Sequence, residues 1–183
     1  MLYKNIISNY KWLDGRDPIV KKATFAAGCF WGIENAFRKI KGVKSVLSGY
    51  TGGDIPDPKY KDVIKGKTDH VEAVQVTYDP SEIDYSKLIE EFWKLHDSKY
   101  SGCLVAPLTK DQPQFGRHYQ SIIFYHDDDQ KEVATKALRD QEKSGKYDSE
   151  LTTQILPAKK FYAAEECHQN FFQKQGYEDI WLI

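Results

Sequence analysis

The position with the most chemical content is Cys29. It follows Gly28 where a strand-like run, Ala23 to Ala27, gives way to apolar residues recurring at three and four: Phe30, Ile33, Ala36, Phe37 and Ile40. A cysteine at the opening of a helix sits among unpaired N–H groups at the positive end of the dipole, where a thiolate is stabilised. The competing reading is a buried cysteine serving as a small hydrophobe. Its neighbours favour the nucleophile. Phe30 and Trp31 follow directly, and adjacent helical positions project about 100° apart, so the two rings cannot both face one core. One of them is expected to line a pocket beside the thiol, and an aromatic wall there suits an apolar, polarizable group such as an S-methyl.

The elements that have to position these residues follow from the rest of the pattern. Residues 1–22 carry no clear period and read as an extension wrapping a single domain at 23–183. After the helix from Phe30 to Ile40, Gly42 stops the chain, and Val43 to Tyr50 reads as a strand running into the turn Gly52-Gly53. A loop with Pro56 and Pro58 leads to a short helix near Tyr60 to Ile64, and Val71 to Tyr78 is a strand closed by Asp79-Pro80. Tyr85 to Leu95 is a helix with Ser81 or Asp84 as its cap. Asp97 to Arg117 is a long irregular segment, and segments of that length in compact domains are usually functional or mobile. Ser121 to Tyr125 reads as a strand, Asp129 to Lys143 as a helix, Leu151 to Leu156 as a strand and Ala163 to Gln173 as a last helix. This order suits a two-layer α+β domain of split β-α-β, ferredoxin-like kind, with extra helices and long loops, better than a doubly wound parallel sheet.

Composition narrows the classes of partner. Twenty-six basic and 27 acidic side chains nearly cancel, leaving a net charge of −1 and no electrostatic footprint for nucleic acid or an anionic membrane. Lys4, Lys11, Asp14, Arg16 and Asp17 interrupt the N-terminal apolar residues, and no apolar run is long enough to span a bilayer, so a cytoplasmic protein is expected. The three cysteines, Cys29, Cys103 and Cys167, are too few and too scattered for a disulfide scaffold and lack the paired spacing of a structural zinc site. No metal and no cofactor are expected; a reactive thiol or plain core cysteines remain.

The pentapeptide Gly28-Cys29-Phe30-Trp31-Gly32 is identical to the signature of the A-type peptide methionine sulfoxide reductases, and further blocks resemble the same family in order. Gly49-Tyr50-Thr51-Gly52-Gly53 resembles its GYxGG turn. His70-Val71-Glu72-Ala73-Val74, with Tyr78-Asp79-Pro80 after it, resembles its HxEAVxVxYDP strand. Phe92-Trp93 through His96-Asp97, then Gly116, Tyr119 and Ser121, resemble the next block, and Phe161-Tyr162, Ala164-Glu165 and His168-Gln169 the last.

The resemblance implies an enzyme that reduces the S epimer of methionine sulfoxide in oxidised proteins, peptides and the free amino acid. In it Cys29 attacks sulfur, Phe30 and Trp31 cage the methyl group, and Glu72, Tyr50 and Tyr119 surround the sulfoxide oxygen. Chemistry makes a matching demand, because displacing that oxygen requires protonating it, and the acid has to be neutral at pH 7. Glu72 lies in the apolar strand Val71 to Val76, where burial raises a carboxyl's pKa; its alternative is an outward residue paired with a lysine. Tyr50 and Tyr119 are either neutral donors to a developing oxyanion or core tyrosines.

Two departures from the family stand out. Gln114 occupies a position where most members carry an Asp, with Asp111 the acidic side chain nearby. The resolving cysteine that many relatives carry after a C-terminal Gly-Tyr is absent beyond Gly176-Tyr177. A sulfenic acid on Cys29 needs a second thiol before thioredoxin can restore it. Cys103, in the long loop, is the expected resolving thiol, while Cys167 is expected to pack on the apolar face of the last helix. Two other classes remain open at this stage: a cysteine hydrolase with Cys29 activated by His70 or His96, and a non-catalytic module that reads methionine through aromatic rings.

Overall fold

The computed structural model describes residues 19–95, 118–147 and 151–177. β1 (Lys21–Ala27), α1 (Phe30–Arg38), β2 (Val43–Thr51), α2 (Tyr60–Val63), β3 (Val71–Tyr78), α3 (Tyr85–Lys94), β4 (Ser121–Tyr125), α4 (Asp128–Lys143), β5 (Gln154–Pro157), β6 (Tyr162–Ala163), a 3₁₀ turn (Glu166–His168) and α5 (Phe171–Lys174) follow in chain order. The described strands form one sheet in the order β5-β4-β1-β3-β2-β6. Its pairs are antiparallel except β4 with β5, which is parallel. The α+β reading therefore holds, and most expected elements agree to within a few residues. Asp84 is the N-cap of α3 by position, but its side chain makes no capping bond.

Alternation along the strands sorts side chains onto two faces. Ala23, Phe25 and Ala27 of β1 and Val74, Val76 and Tyr78 of β3 join the larger core, together with Phe30, Ile33 and Phe37 of α1 and Leu88, Ile89 and Phe92 of α3. Ala26, Val71, Ala73, Ile122 and Phe124 face the other way, into a smaller cluster covered by Ala158 and Phe161. Both faces of β1 are thus buried, which explains why its sequence reads as a continuous apolar run rather than an alternating one. By the same alternation Glu72 falls on the larger-core face, and the β2–β3 register sets Tyr50 directly opposite it.

The C-terminal segment departs from the expected helix at Ala163 to Gln173. Side chains there bind backbone across the molecule instead of continuing a helix. The Gln169 amide accepts from Ser48 N (3.0 Å) and donates to Ser48 O (2.8 Å) and Ala164 O (3.0 Å). Asn170 turns left-handed (φ 53°), and its N–H donates to the buried Glu34 carboxylate of α1 at 2.9 and 3.1 Å. Cys167 consequently sits in the 3₁₀ turn and is exposed, not packed on an apolar face. Gly49 permits the strap to dock, since a Cβ there would lie 2.2 Å from Tyr162 O.

Phe25 anchors the larger core, with its ring 5.0 Å from Phe37, 5.5 Å from Phe92 and 6.2 Å from Tyr85. Phe25→Ala is expected to cost about 3–5 kcal/mol of stability, the range for a buried Phe truncation. Urea unfolding of the two proteins checks this, and a loss under about 1 kcal/mol would mean the site collapses around the gap.

Candidate active site

β1 delivers the chain to the site and Gly28 turns it. With φ 86° Gly28 occupies the left-handed region that favours glycine, and the turn sets Cys29 as the N-cap of α1, half-buried. The first N–H groups of the helix and its positive dipole end therefore lie beside the thiol. One of those donors is already engaged: Phe30 N–H donates to Glu72 Oε2 at 3.1 Å across 42 residues of sequence. Glu72 in turn is 1% exposed, and its own N–H donates to His118 O at 2.9 Å, which brings the segment before β4 alongside.

Aromatic rings wall the thiol on one side. Phe30 is buried, while Trp31 is half-buried, lies flat on Phe171 at 3.9 Å and donates its indole N–H to His168 Nδ1 at 3.3 Å. The two adjacent rings divide between core and pocket, as their angular separation on the helix requires. His168 packs 4.3 Å from Tyr60 and 5.5 Å from Phe30, and Phe30 stands 5.9 Å from Tyr50. Burial lowers the pKa of His168 against the opposing charge of Glu165, so its Nδ1 is free to accept from the indole.

Two carboxyls have contrasting surroundings. Burial raises the pKa of Glu165, but hydrogen bonds from its own N–H, from Tyr60 N–H (3.1 Å) and from the Tyr50 hydroxyl (2.8 Å) outweigh it and hold the group below its ordinary value. Glu165 is thus a carboxylate, and the Tyr50 hydroxyl is directed at it. Glu72 accepts the Phe30 amide and faces the His118 imidazole, Nε2 to Oε1 at 4.0 Å. That contact is not an ion pair, because burial pulls His118 down to about 4 and leaves it neutral at pH 7. Tyr60 is pushed up to about 12 by burial and by the nearby Glu72, Cys29 and Glu165, so its phenol keeps its proton. Burial, aided by the bond to Glu165, raises Tyr50 further.

The fold therefore gathers Cys29, Phe30, Trp31, Tyr50 and Glu72 at one end of the sheet, with half-buried Tyr119 beside His118, ring centroids 3.9 Å apart. It adds Tyr60, Glu165, His168 and His118, to which the sequence reading gave no role. Tyr60 offered little signal beyond its place after Pro58 at the start of a short helix. Cys103, His96, Asp111 and Gln114 lie outside the described residues. Both ring nitrogens of His70 are engaged elsewhere, since Gly53 N–H donates to its Nδ1 (3.2 Å) and its Nε2 bonds Ile55 O (2.8 Å), so His70 does not form the Cys-His pair a hydrolase would use. Among the described residues no group of three or more His, Cys, Asp or Glu could hold a metal ion, and no helix is long and apolar enough to cross a membrane.

Comparison with known proteins points one way. Residues 21–181 match the profile of the family described as peptide methionine sulfoxide reductase. The chain is 48% identical to a peptide methionine sulfoxide reductase MsrA of Methanococcoides burtonii, over 85% of this chain and 97% of that one. It is 46% identical to one of Methanothermobacter thermautotrophicus, over 89% and 92%. Among solved structures it resembles reduced Mxr1 of Saccharomyces cerevisiae (TM-score 0.71, 36% identity, 86% of each chain). It also resembles Mxr1 in complex with Trx2 (TM-score 0.53, 29% identity, 83% and 84%).

The buried His118 predicts a pH dependence of stability. Its pKa is lowered on folding, so between pH 6.5 and about 4 the unfolded chain binds more protons and stability falls as pH falls. This group's share amounts to about 2–3 kcal/mol across that window. Urea unfolding at pH 7 and pH 4.5 should show a smaller acid loss in His118→Gln than in the parent, and equal losses would refute the assignment.

Proposed function

The chain belongs to the peptide methionine sulfoxide reductase family, of the MsrA kind, and from that premise we propose how its residues divide the reaction. Methionine S-sulfoxide, in oxidised proteins or peptides or as the free amino acid, enters with its S-methyl group against Phe30 and Trp31. The Cys29 thiolate attacks the sulfoxide sulfur while the oxygen takes a proton from Glu72. The protonated oxygen then passes from the substrate sulfur to the Cys29 sulfur, so the substrate S–O bond and the transient S–S bond both break, a Cys29 S–O bond forms, methionine leaves, and Cys29 is left as a sulfenic acid. The observation that carries this reading is the bond from Phe30 N–H to Glu72, which fixes the acid beneath the nucleophile's helix.

Burial of Glu72 favours its protonated form, as the acid requires. A neutral carboxyl still accepts the Phe30 amide through its carbonyl oxygen. Tyr60 and Tyr119 supply phenolic donors to the developing oxyanion, while Tyr50 acts through Glu165, which braces the Tyr60 backbone.

Regeneration needs a second thiol and a reductant. The sulfenic acid condenses with that thiol, releasing water and forming a disulfide, which a dithiol of thioredoxin type reduces by exchange. We assign the second thiol to Cys103, with the exposed Cys167 as the alternative. The residues 23–183 act as one catalytic domain, in the cytoplasm, where free thiols such as Cys29 and Cys167 are kept reduced.

Cys29→Ser is expected to abolish reduction of a methionine-sulfoxide peptide with dithiothreitol, and Glu72→Gln to slow it by roughly 10²–10⁴, the span of a positioned general acid. Appreciable turnover by Cys29→Ser, or a loss below about tenfold in Glu72→Gln, would defeat the respective role. For regeneration, Cys103→Ser should keep one stoichiometric turnover and dithiothreitol activity but lose thioredoxin-driven cycling, and Cys167→Ser should keep all three. Mass spectrometry showing Cys29 joined to Cys167 after one turnover would reverse that assignment.

A further inference from the structure

Each turnover leaves Glu72 as a carboxylate at 1% exposure, and the next turnover waits until a proton returns to it. The groups on the thiol side are poorly suited to supply one. Tyr60 holds its proton up to about 12. The Tyr50 hydroxyl donates to Glu165, and His168 accepts the Trp31 indole at Nδ1. On the opposite side stands His118, itself 3% exposed, with Nε2 4.0 Å from Glu72 Oε1. Its other nitrogen, Nδ1, is buried and has no hydrogen-bond partner among the described residues. An unpartnered buried nitrogen is costly and calls for an explanation.

The same imidazole lines a cleft of about 390 Å³ with Gly66, Asp69, His70 and Gln120, partly open to solvent. His70 shares the cleft, but both of its ring nitrogens are committed to backbone, to Gly53 N–H and Ile55 O. His118 is therefore the imidazole that both lines the cleft and stands 4.0 Å from the buried carboxyl.

We propose that His118 is the proton relay that reloads Glu72 between turnovers, passing a proton from water in this cleft to the carboxylate. The inference rests on Glu72 being the acid. In the step, His118 Nδ1, closed to solvent in the resting geometry, takes a proton from cleft water when the ring swings toward the cleft, and the Nε2–H bond breaks as its proton passes to Glu72 Oε1. The imidazole ends neutral as the other tautomer, the carboxyl ends protonated, and solvent has lost one proton. The tautomers then re-equilibrate through the same water. The separation of 4.0 Å exceeds a hydrogen bond by about one ångström in the resting geometry. A charged Glu72 attracts the N–H dipole where a neutral one does not, so the contact closes when the proton is needed. The low proton affinity of the buried imidazole keeps it from retaining the proton it carries. His118 acts through Glu72 and does not itself contact the reacting atoms.

A relay acts after the first turnover, whereas a merely structural residue affects every turnover. Parent, His118→Ala and His118→Gln enzymes are compared in two measurements with a methionine-sulfoxide peptide: the rate of the first turnover without reductant, and steady-state turnover with saturating dithiothreitol. Both variants should keep the first-turnover rate within about twofold and lose about tenfold or more in steady state. Free imidazole in the buffer should restore His118→Ala in proportion to its concentration, by occupying the vacated space and carrying the proton. His118→Gln fills much of that space without exchanging protons, and keeps the test alive if the alanine variant does not fold. Unchanged steady-state turnover overturns the relay, and so does equal loss in both measurements without imidazole rescue. Glu72→Gln run alongside separates the premise: a normal first turnover in that variant defeats Glu72 as the acid, whatever His118 does.

Discussion

The site depends on one hydrogen bond between elements far apart in the chain, from Phe30 N–H at the start of α1 to the buried carboxyl of Glu72 on β3. The first N–H groups of any helix lack intrahelical acceptors, so a carboxyl there satisfies a donor that burial would otherwise leave costly. The same bond holds the carboxyl close to the thiol, because Cys29 is the residue that caps the helix. Alternation along β3 allows this: a shift of one residue in the β2–β3 register would carry Glu72 away from Tyr50 and out of the helix-covered face.

Two carboxyls at this end of the sheet, Glu72 on β3 and Glu165 after β6, differ because their surroundings differ. Glu165 receives several hydrogen bonds and stays charged, and in return it orients Tyr50 and the backbone of Tyr60. Glu72 lies deeper, where it accepts one backbone amide and faces a neutral imidazole. Neither behaviour follows from the residue type. A buried carboxyl becomes acid or anchor according to how many donors the fold aims at it.

The strap that follows β6 is what closes the pocket. Gln169 fixes it to β2, and Glu34 fixes it to α1 through Asn170 N–H. Held at both ends, it sets His168 against Tyr60 and Trp31, and Phe171 against the indole face. Burial raises the pKa of Glu34, and the Asn170 amide and Arg38 partly offset that cost. The aromatic wall is therefore assembled from the first and last thirds of the domain, with α1 as the shared support.

How much of this was legible in the sequence depends on the range of the interaction concerned. Local periodicity determined α1, β3, α3 and β4, because each buries a face whose spacing is written in consecutive residues. The motif from Gly28 to Gly32 placed Cys29 at a helix opening and divided its two rings between core and pocket, since a helix opening and the angle between adjacent positions are local geometry. The C-terminal segment reads as a helix because its apolar spacing is helical, while the Gln169 side chain binds the Ser48 backbone 121 residues away and Asn170 N–H binds the Glu34 carboxylate 136 residues away. Tyr60, Glu165 and His118 were invisible as site residues for a related reason: a tyrosine, a glutamate and a histidine acquire roles here from burial and from donors on other strands. Composition and spacing fixed which groups are available for chemistry. Only tertiary packing decided which carboxyl is charged, which phenol faces the pocket and which imidazole is neutral, because those depend on desolvation and on hydrogen-bond partners that no local window contains.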